Sequence, residues 1–311
     1  MKKKEIFKID SPYRDDMVIN GYIFGKGEES ACIIGSMRGT EVQQTYICSI
    51  LVKKLKELEN KGAICANKQI LIIPTVNPYA LNSGRKFWGV EDVDINRAFP
   101  GRERGKSTER IAKLLMDNVK DYMFGIQFPS FYMDGEFMPH VRLMETGYQN
   151  ASLANLFGLP FVVVRKPEPI DTTTLNFNWQ NENTAAFSVY SGYNEQIDEK
   201  LANQAVSAVL RFLSRMGILK YECMDGFISR VIDESELTSV SAGKGGFLRK
   251  IKKMGEEAAY GEVLAEIIDP LEGEVKEQIK APTNGIIFFS QRGALVNESD
   301  VVYKIVRRVH I

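Results

Sequence analysis

Three short stretches of this chain carry residue types that bind cations, carboxylates or protons. The first is Gly35-Ser36-Met37-Arg38-Gly39-Thr40-Glu41. The second is Asn77-Pro78, Arg85 and then Asp94-Ile95-Asn96-Arg97-Ala98-Phe99-Pro100-Gly101. The third runs from Tyr122 to Gln127, with Pro139-His140-Val141-Arg142 after it. Glu41 is a carboxylate able to ligate a metal or accept a proton. Arg38, Arg85 and Arg97 present guanidinium forks suited to two-pronged recognition of a carboxylate. The scarce type is histidine. Only His140 and His310 occur, whereas most zinc sites and most general-base constellations draw on that side chain.

This scarcity restricts the chemistry. Zinc hydrolysis needs three protein ligands and an open position for a water. Arginine cannot ligate, because its guanidinium stays protonated and offers no lone pair. Gln127 offers an amide oxygen, but one carboxylate with one amide is a poor zinc site. His310 is the penultimate residue, and His140 is expected as a rim or hydrogen-bonded histidine rather than a ligand. Arg38 and Glu41 stand three apart at the start of an expected helix, which leaves two arrangements open. Arg38 either pairs with Glu41 and keeps a fixed cation at a pocket, or points to solvent from the turn.

The elements that must position these residues follow from periodicity. Ala31-Cys32-Ile33-Ile34-Gly35 reads as a buried strand. Val42, Tyr46, Ile50, Leu51, Leu55 and Leu58 then recur at helical spacing, with Gly62 as the stop. Gln69–Val76 is a second strand. Ser107 or Thr108 is expected to cap a helix carrying Ile111, Leu114 and Leu115. Further strands are expected at Tyr122–Phe128, Phe161–Val164 and Ala186–Val189, and a helix over Glu195–Met216 before Gly217. The polar stretch 166–184 is expected as an irregular loop. This alternation defines an α/β domain over residues 1–224. From 225 to 311, short β-prone runs broken by Gly-Gly, Asp-Pro and Ala-Pro-Thr-Asn-Gly define a small all-β domain.

Composition excludes several classes. The chain has 311 residues, 40 basic against 40 acidic, 44% hydrophobic and 26% charged. That balance supports a globular protein and gives no support to a nucleic-acid partner. No stretch approaches the roughly 18 apolar residues of a membrane span. The basic start MKKKEIFKID is followed by no apolar segment, and the four scattered cysteines show no paired spacing, so the cytoplasm is the expected location.

In order and spacing the three stretches resemble the zinc-carboxypeptidase-like superfamily, specifically its succinylglutamate desuccinylase/aspartoacylase branch. There the first turn reads Gly-x-x-His-Gly-x-Glu, with His and Glu binding zinc. The strand after Asp-x-Asn-Arg-x-Phe-Pro-Gly reads Asp-Leu-His, whose His is the third ligand. The all-β end, with Ala242-Gly243, Gly245-Gly246, Gly261, Ala281-Pro282 and Gly285, looks like the lipoyl-type module of many bacterial members. The stretch Glu274 to Asn284 has no carrier-lysine sequence. The resemblance covers residues 25 to 308. It implies a zinc-carboxypeptidase-like α/β domain with a mixed, mainly buried sheet, followed by a lipoyl-like barrel or sandwich.

The departures are as informative. Arg38 stands where the first His belongs, Gly125-Ile126-Gln127 stands for Asp-Leu-His, and of the ligands only Glu41 is kept. Tyr190, within Phe187–Gly192, takes the place of the family's general-base Glu. Arg85, Asn96 and Arg97 match residues that polarise the scissile carbonyl and clamp the substrate carboxylate, and Arg38 would add to them. The expectation is a metal-free, degenerate homologue that binds a small carboxylate of acyl-amino-acid type, although zinc is the family cofactor. If a metal site persists, Glu41 and Gln127 are its donors. The alternative is an active deacylase with an altered site, in which Glu41 is sole ligand or general base and Arg85 stabilises the oxyanion. A homo-oligomer, or a subunit completing an oligomer with an active paralogue, is left open.

Overall fold

The computed structural model describes residues 1–11, 15–89 and 91–307. Contacts divide them into two units, one of Met1–Ser130 and Pro139–Val231, the other of Phe131–Met138 and the chain from Ile232 onward. In the first unit lie β1 (Lys2–Ile9), β2 (Met17–Gly25), β3 (Glu28–Ser36), α1 (Val42–Asn60), β4 (Lys68–Thr75), α2 (Pro78–Ser83), α3 (Ser107–Val119) and β5 (Phe124–Gln127). After β6 (Gly135–Phe137), which belongs to the second unit, the first resumes with β7 (His140–Met144), α4 (Ala151–Asn155), β8 (Phe161–Arg165), α5 (Leu175–Asn181), β9 (Ala185–Tyr190) and α6 (Glu199–Arg215).

The large sheet is mixed, in the order β1-β2-β4-β3-β5-β9-β7-β8, with a last strand, β10 (Arg230–Asp233), beyond β8. The strands β4, β3, β5 and β9 run parallel, and β7 runs antiparallel to β9. Alternation along β3 explains why both faces are apolar. Ala31 and Ile33 join the core with Ile47, Leu51, Leu55 and the α6 residues Ala205 and Val209. Cys32 and Ile34 join the opposite core with Ile111, Leu115 and Val119 of α3. A strand buried on both faces reads as an unbroken apolar run.

Two local expectations are corrected. The segment 166–184 is not an irregular loop: a 3-10 turn over Pro169–Thr173 leads into α5, whose Leu175 and Trp179 are wholly buried. Their i, i+4 spacing is the helical signal that the surrounding polar residues obscure. The helix α3 is not capped by Ser107 or Thr108, since helical residues begin at Ser107. The carboxylate of Glu91 receives the N–H groups of Ser107 (2.6 Å) and Thr108 (3.2 Å) and the Thr108 hydroxyl instead. These donors hold Glu91 below the usual carboxylate range, although its partial burial works against them.

The second unit contains β6, β11 (Leu237–Ser241), β12 (Gly246–Lys250), β13 (Glu257–Ala258), β14 (Val263–Ile268), β15 (Val275–Lys280), β16 (Gly285–Gln291), β17 (Leu295–Val296) and β18 (Val301–Arg307). Two antiparallel sheets form, β11-β18-β16-β13 with β6 on β16, and β15-β14-β12-β17. Leu264, Ile267, Ile287, Val302, Tyr303 and Ile305 fill its core. No helix among the described residues is long and apolar enough to cross a membrane.

Candidate functional site

The chain leaves β3 for β4 on one side by way of α1, and reaches β5 on the other side by way of α3. The carboxyl ends of β3 and β5 therefore form a topological switch point, where open α/β sheets leave a crevice. The register puts Ile34 beside Gln127, Gln127 beside Ser188, Ser188 beside Arg142 and Tyr190 beside His140. One end of four neighbouring strands thus brings together Met37, Arg38, Glu41, Gln127, Ser130, His140, Arg142 and Tyr190.

Arg38 and Glu41 are at its centre. The Glu41 side chain is 2% exposed and that of Arg38 11%. One Glu41 carboxylate oxygen, Oε2, accepts the backbone N–H groups of Met37 (2.8 Å) and Arg38 (3.0 Å). The other, Oε1, accepts Arg38 Nη1 (3.1 Å), the Ser130 N–H (3.2 Å) and the Ser130 hydroxyl (2.6 Å). Arg38 also donates from Nε (3.1 Å) and Nη2 (2.5 Å) to Oδ2 of Asp94, and from Nη1 to Ser130 Oγ. Burial opposes the Arg38 charge, but Glu41 and Asp94 outweigh it and hold the guanidinium protonated more firmly than an ordinary arginine. Of the two arrangements open for Arg38, the paired and inward one is present.

The turn is built around small residues. A Cβ at Gly39 would lie 2.2 Å from the Ala80 carbonyl and 2.3 Å from that of Arg85, so only glycine lets α2 and the residues that follow it pass so close. Gly125 acts likewise on β5, where a Cβ would stand 2.6 Å from the Trp179 ring. The indole packs against Gly125, and its Nε1–H donates to the Val119 carbonyl at 3.0 Å.

The other expected residues are less convergent. Arg85 is exposed and makes no side-chain hydrogen bond or ion pair among the described residues. Asn96 is buried, and its Oδ1 accepts the Leu175 N–H at 3.2 Å. Arg97 donates to the Ile170 carbonyl at 2.8 Å and pairs with Asp171 at 3.5 Å. Asn96 and Arg97 are thus tied to the 3-10 turn and α5. Tyr190 is buried, accepts Arg142 Nη1 on its hydroxyl at 3.1 Å, and lies flat on the His140 ring with centroids 4.8 Å apart. His140 is 1% exposed and therefore no rim residue. His310 lies outside the described residues. Asp94 and Ser130 complete the cluster. Asp94 was visible within its motif, but nothing near Ser130 in the sequence marks it.

Zinc does not fit this donor set. A carboxylate offers about four lone-pair sites, and Glu41 already receives five donors. The Gln127 amide nitrogen donates toward Met37 Sδ at 3.6 Å, and the Arg38 guanidinium has no lone pair to offer a metal. Among the described residues no group of three or more His, Cys, Asp or Glu is placed to hold a metal.

The succinylglutamate desuccinylase/aspartoacylase catalytic domain matches residues 28–216, and the chain belongs to that family. Among solved structures it is similar to a succinylglutamate desuccinylase/aspartoacylase from Rhodobacter sphaeroides, at 19% identity, 95% of this chain, 91% of the other and a TM-score of 0.76. A succinylglutamate desuccinylase from Silicibacter sp. TM1040 gives 17%, 97%, 92% and 0.79. The product-bound ectoine utilization protein EutE (DoeB) from Ruegeria pomeroyi gives 18%, 93%, 89% and 0.76. At these identities the likeness concerns the fold. No curated protein matches the chain.

Proposed function

We propose that this chain is a metal-free member of its family that binds a small carboxylate of acyl-amino-acid type without hydrolysing it. The observation that carries this reading is Arg38 donating at once to Glu41, Asp94 and Ser130. A fixed cation replaces a dissociable one, and no lone pair of Glu41 is left for a metal or for a proton from water. This arrangement has no acidified metal-bound water to attack a carbonyl, and attraction for an anion falls to Arg85, because the Arg38 charge is balanced by Glu41 and Asp94.

Arg85 is the recognition residue of this reading, because its guanidinium is exposed and uncommitted among the described residues. Arg38 contributes at most one remaining N–H, since four of its five donors are engaged. Asn96 and Arg97 shape the wall of the crevice through their bonds to residues 170–175. We read the second unit as a lipoyl-like sandwich without a carrier lysine. With four free thiols, the cytoplasm is the compartment this proposal assigns.

The test is metal analysis of protein purified without chelator, followed by calorimetry and a hydrolysis assay with a panel of N-acyl amino acids. Less than stoichiometric metal, measurable binding without turnover, and binding weakened about tenfold by Arg85→Ala are expected. One tightly held zinc per chain, or hydrolysis abolished by Glu41→Gln, overturns the reading.

A further inference from the structure

A second arginine, far along α6, is placed in the opposite way to Arg38. Arg211 is 8% exposed, yet no carboxylate lies within ion-pair distance of it among the described residues. Its Nε donates to the Met224 carbonyl at 2.9 Å and its Nη1 to the Phe157 carbonyl at 2.5 Å, while Nη2 makes no hydrogen bond among the described residues. Burial and the neighbouring Arg215 both act against its charge, with Cys223 and Asp225 compensating only in part. A buried cation bonded only to neutral carbonyls lacks the counter-charge that such groups normally have.

Beside it is a cavity of about 240 Å3 lined by Gly158, Gln204, Ser207, Arg211, Asp225, Gly226 and Phe227. Gln204, Ser207 and Arg211 share one face of α6 by their spacing, and neither the Gln204 amide nor the Ser207 hydroxyl makes a hydrogen bond among the described residues. The two glycines leave room for the guanidinium at the cavity wall: a Cβ at Gly158 would stand 2.9 Å from Arg211 Nη1, and one at Gly226 2.8 Å. The volume is below the roughly 300–1,000 Å3 of pockets for drug-sized ligands, so the space suits a compact ion.

We propose that this cavity is a binding site for a small oxyanion, held by the Arg211 guanidinium with Ser207 and Gln204 as further donors. The ion supplies the missing counter-charge. Asp225 is the one carboxylate lining the cavity; it is fully exposed, 4.0 Å from Arg215 Nη2, and competes weakly with the ligand. The site shares no residue with the Arg38 cluster.

Calorimetric titration of the whole protein with inorganic phosphate, and separately with sulfate, tests this. Saturable one-site binding is expected for at least one of the two, and which one binds identifies the source of the oxyanion. Arg211→Lys, which keeps the charge but loses the fork, should weaken binding about tenfold. Ser207→Val with Gln204→Leu, both on the outer face of α6, should weaken it several-fold without loss of folding, and Asp225→Asn should strengthen it. No saturable binding of either ion, or binding that the Ser207/Gln204 pair leaves intact, overturns the proposal.

Discussion

At the scale of single residues, the cluster around Arg38 is an ion network whose members depend on each other. Arg38 and Glu41 are both largely buried, and removing one partner of a buried pair leaves the other uncompensated, at a cost of about 3–5 kcal/mol. Arg38→Met is therefore expected to lower the midpoint of denaturant unfolding strongly, whereas Arg85→Ala, at an exposed position, should leave it within about 0.5 kcal/mol. The network also predicts a gain of function. Arg38→His with Gln127→His places one imidazole on the turn that carries Glu41 and a second at the end of the neighbouring β5, with Asp94 positioned to orient the first of them. This double variant should bind close to one zinc by metal analysis, while either single variant should not. Retention of less than a tenth of a zinc per chain by the double variant, at the order of magnitude expected for a three-ligand site, would contradict that placement.

At the scale of elements, stability rests on contacts between segments distant in sequence. Glu91 caps α3 from outside the helix, and Glu91→Gln should cost about 1 kcal/mol at neutral pH. Since this carboxyl sits below its ordinary value of 4.5 in the folded chain, its contribution is present above that value and is lost as the pH falls below it. The stability difference between wild type and Glu91→Gln should accordingly shrink in acid, as followed by thermal unfolding from pH 7 down to pH 3. Gly125→Ala forces a methyl against the Trp179 ring and should destabilise by about 1–3 kcal/mol, with loss of near-ultraviolet dichroism if the indole is displaced. The sequence shows β3, α1, β4 and α6 clearly, because their apolar periodicity is strong and glycines follow both helices. It does not show the Glu91 cap, whose partners lie 16 and 17 residues away. Nor does it show Ser130, which meets Glu41 across 89 residues only because β3 and β5 are neighbours. Short-range pattern determines elements, whereas the site depends on pairings that the fold alone sets.

At the scale of the whole molecule, each unit has a core of its own. Ile287, wholly buried in the second, is a place to separate them: Ile287→Asn buries an amide among apolar side chains. Calorimetry of that variant is expected to show one transition lowered while residues of the first unit keep their hydrogen-exchange protection. A single transition in which both lose protection together would mean that the units unfold as one.

The second unit is also assembled from two separate lengths of chain, since Phe137 pairs with Phe289 through β6 and β16. A ribosome translating this message releases the short strand long before its partner. Between them lie roughly 150 residues, which at about 5–20 residues per second take on the order of ten to thirty seconds to make. For that interval Phe131 and Phe137, both buried in the finished protein, have no sheet to join. The nascent chain thus exposes a short aromatic segment through about half of its synthesis, a candidate for chaperone capture, and a cut after residue 224 would leave that segment orphaned permanently.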